Sequence, residues 1–222
     1  VFDAYGTLFD VGAAARIAAG EEDREALAVK AGELAEFWRQ KQLQYTWLRA
    51  VSGNHTDFWS VTQDGLDWAL EKTGLDGDLE LRERLLALYW ELRAYKEVPM
   101  MLAQLKAAGQ QTAILSNGAP DMLDGAVGSA GIETYLDAVL SVEDVGVFKP
   151  DAQVYQMVLD RFECTKDEVL FVSSNGWDVA AASGFGFQTV WVNRVGEPMD
   201  RLFAEPQHVL SDLTNIPQLA GS

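Results

Sequence analysis

From residue 111 onward, short apolar runs rich in β-branched residues alternate with stretches of helical periodicity. Residues 112–115, 138–142, 169–172 and 189–192 are each largely apolar, as strands covered on both faces must be. A helical stretch over about residues 121–130 separates the first two, which gives the order of parallel βαβ units. Val1-Phe2 adds one more apolar lead, so the pattern predicts a sheet of five or six strands. Between Asp10 and about Tyr95 the texture changes. Leu27, Leu34, Phe37 and Trp38, then Leu66, Ala69 and Leu70, then Leu81, Leu85, Leu88 and Leu92 recur at helical spacing, punctuated by Gly53 and Gly74. The chain therefore reads as α/β, with a core of residues 1–10 and 96–222 and a helical cap of residues 11–95 inserted after the first strand. Residues 12–30 match no motif that gives them a role.

Chemistry concentrates where these runs end. Asp3 closes the first run and opens the turn Asp3-Ala4-Tyr5-Gly6-Thr7-Leu8, at the carboxyl edge where open α/β sheets place their sites. With an ordinary pKa of about 3.9 it is an ionised oxygen nucleophile at neutral pH. Burial would raise that value unless a cation compensates, and Lys149 in Phe148-Lys149-Pro150 is the partner in reach. On residue physics alone, this pair stands level with a turn-capping Asp3 and a solvated lysine. Ser116-Asn117-Gly118 follows another strand end and precedes a helix, an arrangement that suits an anion cradle or a plain polar turn. Ser173-Ser174-Asn175-Gly176-Trp177-Asp178 has the same placement and adds a carboxylate, with helix capping as its simpler use. Arg39, among Phe37, Trp38 and Leu43, is either a desolvated anion receptor or the polar side of an amphipathic helix. His55 and His208 have no Ser or Cys partner in view and receive no catalytic role.

Composition narrows the partners. Seventeen basic residues against thirty-four acidic ones leave a formal charge of -17 over 222 residues, which disfavours nucleic acid and anionic membrane surfaces. A small anionic substrate would then need locally placed cations. The single cysteine, Cys164, excludes an intramolecular disulfide and points to a reducing, cytoplasmic setting. No apolar run reaches the length that spans a bilayer. The sequence opens with Val inside a strand pattern, so residues preceding Val1 are expected in the native chain.

Taken together, Asp3-Ala4-Tyr5-Gly6-Thr7, Trp38-Arg39-Gln40-Lys41-Gln42-Leu43, Ser116-Asn117-Gly118, Lys149-Pro150 and the segment from Ser173 to Asp178 resemble the haloacid dehalogenase superfamily, in its L-2-haloacid dehalogenase branch. The resemblance covers nearly the whole chain, and the Trp-Arg-Gln-Lys-Gln block is its most specific part. It implies a Rossmann-like core with a helical cap. It implies that Asp3 displaces halide from carbon 2 of a short L-2-haloacid, forming an ester that water then hydrolyses to a 2-hydroxy acid. By the same resemblance Lys149 holds Asp3 ionised, and Asp178, with Asn175 and Ser173, positions or deprotonates the water. Arg39 and Asn117 receive the halide, while Thr7 and Ser116 orient Asp3 and the substrate carboxylate. Tyr5, Gln40, Leu43, Phe58, Tyr155 and Trp177 line the pocket. No metal and no cofactor is implied, since halide is already a weak base when it leaves.

Two other readings compete. A magnesium-dependent phosphatase or phosphonatase of the same superfamily would carry an acid where Tyr5 stands and a metal-binding Asp where Ser174 stands. A catalytically silent binding protein would keep the fold without the turnover. The apolar residues Trp47, Leu48, Trp59 and Trp90 exceed what a small cap readily buries, which favours a homodimer unless they form the cap's own core.

Overall fold

The computed structural model describes residues 1–22 and 24–221, and its sheet is threaded through the amino-terminal segment. β1 (Ala113–Ser116) pairs with β2 (Ala138–Ser141), and β3 (Leu170–Ser173) pairs with β4 (Gln188–Val192), which pairs with β5 (His208–Leu210), all in parallel. Phe2 bridges Ile114 on one side and Val172 on the other and so joins the two groups. Its N–H donates to the Ala113 carbonyl at 2.8 Å, and Asp3 N–H donates to the Val172 carbonyl at 2.9 Å. The spatial order is β2, β1, the amino-terminal segment, β3, β4, β5, with the first-read run at the centre. All four β1 residues are buried, as the continuous apolar pattern requires. β5 escapes the hydrophobic pattern because it is three residues long and lies at the sheet edge, with His208 and Val209 exposed.

Helices fill the connections. α5 (Val98–Ala107) and α6 (Pro120–Ala130) flank β1, α7 (Ala152–Phe162) precedes β3, α8 (Gly176–Phe185) links β3 to β4, and α9 (Ile216–Ala220) ends the described chain. The helix read over residues 121–130 begins one residue earlier, at a proline suited to a first helical turn.

The inserted segment holds α1 (Ala13–Ala19), α2 (Glu25–Ser52), α3 (Phe58–Thr73) and α4 (Leu79–Trp90), which pack on one another. Its exits lie side by side: Asp10 N–H donates to the Arg93 carbonyl at 3.0 Å, and Tyr95 N–H to the Leu8 carbonyl at 2.9 Å. Each helix has a local reason to start or stop. Gly53 ends α2 in the left-handed region at φ 66°, Asp57 caps α3 by accepting from Ser60 N–H at 2.9 Å, and Asp78 caps α4 by accepting from Leu81 N–H at 2.8 Å. Leu34, Trp38, Leu66, Leu70, Leu81 and Leu85 are buried where the periodicity places them, and the Trp38 indole donates to the Thr62 carbonyl at 2.8 Å to tie α2 to α3. The unassigned residues 12–30 supply α1 and the start of α2, with Asp23 outside the described residues.

Of the tryptophans expected to overfill the insert, Trp59 and Trp90 meet at 4.9 Å with their rings tilted by 58° and pack half-buried against the core. Trp47 and Leu48 on α2 stay exposed, as does Val51 one turn on. Cys164 is free and half-buried. Among the described residues no helix is long and apolar enough to cross a membrane.

Candidate active site

Because the strands run in parallel, their carboxyl ends bring Asp3, Ser116, Ser141 and Ser173 to one edge of the sheet. Asp3 is buried there, and three side chains donate to its carboxylate. Lys149 Nζ lies 3.1 Å from Oδ1; Thr7 Oγ1 and Asn175 Nδ2 lie 2.9 and 3.0 Å from Oδ2. Thr7 arrives by the turn at Gly6, whose φ of 88° favours glycine, and a Cβ at that position would sit 3.1 Å from both Arg39 Nη2 and Ser174 Oγ. The Thr7 hydroxyl in turn accepts from Ser174 N–H at 2.8 Å, and the Thr7 carbonyl accepts from Arg194 Nη2 at 3.0 Å. The nucleophile candidate is therefore fixed through both its carboxylate and its backbone.

Lys149 is 1% exposed and bridges two acids, reaching Asp178 Oδ2 at 2.9 Å as well as Asp3. Its backbone N–H donates to Asn117 Oδ1 at 2.9 Å, which ties the lysine segment to the Ser116-Asn117-Gly118 turn. Two buried acids share one ammonium. Burial, the largest influence on Lys149, pulls its pKa down, but the charges and hydrogen bonds of Asp178 and Asp3 outweigh it and hold the ammonium above its ordinary 10.5. For Asp178, burial pushes the carboxyl up, Lys149 opposes this and Asp3 adds to it, and the net shift is upward from 3.8. The Tyr155 hydroxyl donates to Asp178 Oδ1 at 2.8 Å. Burial followed by the Asp178 charge raises the Tyr155 pKa well above 10.0, so this phenol stays a donor.

The inserted helices supply the opposite wall. Arg39, half-buried on α2, donates through Nη2 to Asn175 Oδ1 at 2.7 Å and to the Tyr5 carbonyl at 3.3 Å. Its Nε and Nη1 have no hydrogen-bond partner among the described residues. Trp47 meets Trp177 edge-on at 5.4 Å, and the Phe58 ring lies 5.7 Å from that of Tyr5. The Tyr5 hydroxyl and the Trp177 indole N–H are buried without partners, which leaves two unspent donors in the site. Burial, followed by Tyr89 and Asp3, raises the Tyr5 pKa well above 10.0 and keeps that hydroxyl protonated. Gly118 makes room for the Tyr5 ring: a Cβ there would approach Tyr5 Cε2 to 2.7 Å.

The structure thus gathers Asp3, Thr7, Lys149, Asn175 and Asp178 into one hydrogen-bonded network that Arg39 joins through Asn175. Ser173 Oγ accepts from Asn175 N–H at 3.1 Å and Ser116 Oγ from Gly118 N–H at 3.0 Å, so both shape their own turns. Asn117 spends its oxygen on Lys149 and leaves its Nδ2 uncommitted among the described residues. Leu43 and Gln40 line a 440 Å³ recess beside Arg39, Gln40 being exposed. Tyr155 differs from its expected place as a pocket liner: its ring is packed among Phe171, Phe185 and Phe187, and only its hydroxyl reaches the site, through Asp178. Sequence reasoning missed Arg194, which lies 3.6 Å over Tyr95 and pairs with Glu97 at 2.7 Å while it grips Thr7. It also missed the pairing of His55 with Glu143. Arg194 follows the end of β4, the one local signal that could have found it, whereas His55 lies in a loop between helices with no such mark. Among the described residues no three His, Cys, Asp or Glu side chains converge into a ligand set for a metal ion.

Comparison with known proteins fits this geometry. The profile of the haloacid dehalogenase-like hydrolases matches residues 1–186. (S)-2-haloacid dehalogenase 1 of Pseudomonas sp. strain CBS-3 is 46% identical over 99% of this chain and 94% of its own length. (S)-2-haloacid dehalogenase 4A of Burkholderia cepacia is 41% identical over 99% of this chain and 94% of its own. The structure of L-2-haloacid dehalogenase from Xanthobacter autotrophicus with chloropropionic acid covalently bound superposes with a TM-score of 0.87 at 38% identity, covering 100% of this chain and 97% of that one. The chain belongs to the haloacid dehalogenase-like hydrolases, in their L-2-haloacid dehalogenase branch.

Proposed function

We propose that this protein hydrolyses short L-2-haloacids to 2-hydroxy acids through an ester on Asp3, without a metal ion. The observation that carries the reading is the Asp3 carboxylate, buried and held by three donors beside a cation that stays charged. In the first step an Asp3 oxygen attacks carbon 2 from the side opposite the halogen; the C–O bond forms as the C–halogen bond breaks, and the halide leaves with the electron pair. An in-line displacement needs charge acceptors opposite the nucleophile. Arg39, with uncommitted N–H groups, and Asn117 Nδ2 fill that role, while the unpartnered Tyr5 hydroxyl and Trp177 N–H line the same wall and Ser116 serves the substrate carboxylate.

In the second step water attacks the Asp3 carbonyl carbon as its proton passes to Asp178; the ester C–O bond then breaks, the alkoxide oxygen takes that proton back from Asp178, and the hydroxy acid leaves with Asp3 restored as a carboxylate. Thr7, Asn175 and Lys149 already donate to the Asp3 oxygens, so they are placed to stabilise the oxyanion that forms there. An Asp178 carboxyl raised above its ordinary range is a stronger base than an ordinary aspartate.

Residues 11–95 act as a cap over this chemistry in our reading, supported by Arg39, Trp47 and Phe58 reaching core residues from the inserted helices. A homodimer is favoured by the exposed Trp47, Leu48 and Val51 on α2, and the cytoplasm by the unpaired Cys164. The decisive experiment measures halide release from both enantiomers of 2-chloropropionate with and without EDTA, then locates heavy oxygen after turnover in labelled water. Chelator-resistant release from the L enantiomer with label entering Asp3 is expected; no halide from any 2-haloacid overturns the reading.

A further inference from the structure

His55 and Glu143 lie outside the network around Asp3, yet they meet where the inserted helices touch the core. His55 sits in the loop between α2 and α3, and its Nε2 lies 3.0 Å from Glu143 Oε2, in the 3-10 helix Val142–Asp144 that follows β2. The other polar atom of each side chain, His55 Nδ1 and Glu143 Oε1, is buried with no partner. Two desolvated atoms left without partners are a cost, and what they are kept for is the position of the pair.

Each end of the contact is attached to a wall of the site. On the core side, Glu143 N–H donates to Ser141 Oγ at 3.2 Å, and Ser141 Oγ donates to the Gly118 carbonyl at 2.6 Å. Glu143 is thereby anchored to the turn that presents Ser116 and Asn117. On the other side, His55 precedes by three residues Phe58, the buried first residue of α3. The imidazole lies 4.7 Å from the Phe148 ring, Phe148 lies 6.4 Å from Phe58, and Phe58 lies 5.7 Å from Tyr5. These four rings form one continuous wall, from the clasp to the residue beside the nucleophile.

We infer that the His55–Glu143 contact is a clasp that holds Phe58 against Tyr5 and Phe148 and so limits the size of the alkyl group on carbon 2 that the site admits. The inference rests on the dehalogenation reading for its substrate, and both residues are positioning residues, since they act through Phe58. Releasing the clasp frees the start of α3 to move outward. Short substrates then lose enclosure, and longer ones gain room.

The test compares His55→Phe, which keeps a ring on Phe148 but removes the bond, with His55→Gln, which restores an N–H donor to Glu143. Steady-state kinetics are measured on L-2-chloropropionate and L-2-chlorohexanoate, and hydrogen exchange is followed at residues 58–62. In His55→Phe, KM for chloropropionate is expected to rise about tenfold with kcat nearly unchanged. The preference for chloropropionate over chlorohexanoate is expected to fall by a similar factor, exchange at residues 58–62 to quicken, and His55→Gln to recover most of each change. A folded His55→Phe with unaltered preference and exchange overturns the clasp, as does an equal loss on both substrates. If His55→Phe does not fold, Glu143→Met, which removes the acceptor, carries the same comparison. Should the wild-type protein release no halide, the dehalogenation reading falls by itself, and the exchange data alone decide whether the clasp exists.

Discussion

Lys149 bonds Asp3 directly and Arg39 bonds the Asn175 side chain that donates to it, and the two cations are held in opposite ways. The ammonium is sealed in the core with a carboxylate at 3.1 Å on one side and 2.9 Å on the other. The guanidinium reaches in from α2, half-buried, and touches Asp3 only through Asn175. The floor of the site is thus complete within the sheet edge, whereas its far wall depends on how the inserted helices seat. A buried ion network assembled by strand ends moves little; a wall made of one guanidinium and several ring contacts can shift as a unit.

Substitutions separate the two. Asp3→Asn keeps shape and removes the nucleophile, and halide release is expected to fall about ten-thousandfold or more. Lys149→Met leaves two buried carboxylates facing each other. We expect a loss of about 3–5 kcal/mol in stability by denaturant titration, together with a rate loss of about a thousandfold. Arg39→Lys removes the planar fork of a half-buried side chain but no buried apolar packing, so kcat is expected to drop about a hundredfold at unchanged melting temperature. A melting temperature that fell as far as in Lys149→Met would erase the distinction between floor and wall.

The smallest expected effect is the most diagnostic of the floor. The proposed mechanism needs ionised Asp178, whose carboxyl is raised by burial, so the acid limb of the kcat profile should lie above the ordinary 3.8. The Tyr155 hydrogen bond lowers that pKa, so Tyr155→Phe should move the limb to still higher pH and slow the reaction about tenfold at neutrality. An unmoved limb would remove Asp178 from the role of base. Stability follows its own signs. The Lys149 contribution is present below 10.5 and lost as pH rises through its raised value, while ionising Asp178 costs stability as pH rises from 3.8 through its own.

The strand-end residues were legible because an apolar run that stops at a polar turn marks a sheet edge, and parallel pairing then forces Asp3, Ser116 and Ser173 together. Insert helices were legible from leucine spacing, and Gly53 and Gly74 mark the ends of two of them. What stayed hidden depends on contacts between elements distant in the chain. Nothing near Lys149 announces that it is buried between two acids, nor does the inner face of α7 reveal that Tyr155 will reach Asp178 on α8. His55 and Glu143 lie 88 positions apart and meet only once the insert docks. β5 was unreadable for a simpler reason, since three residues at an edge carry too short a pattern.

The unequal count of two acids to one ammonium also sets the timing of the proposed reaction. Alkylation of Asp3 consumes a negative charge, so the first chemical step relieves the repulsion that the resting cluster stores. From then on Lys149 has a single acid to neutralise, and Asp178 no longer faces a second carboxylate when the water must be activated. The surplus acid makes the resting enzyme electrostatically impatient and its ester intermediate balanced.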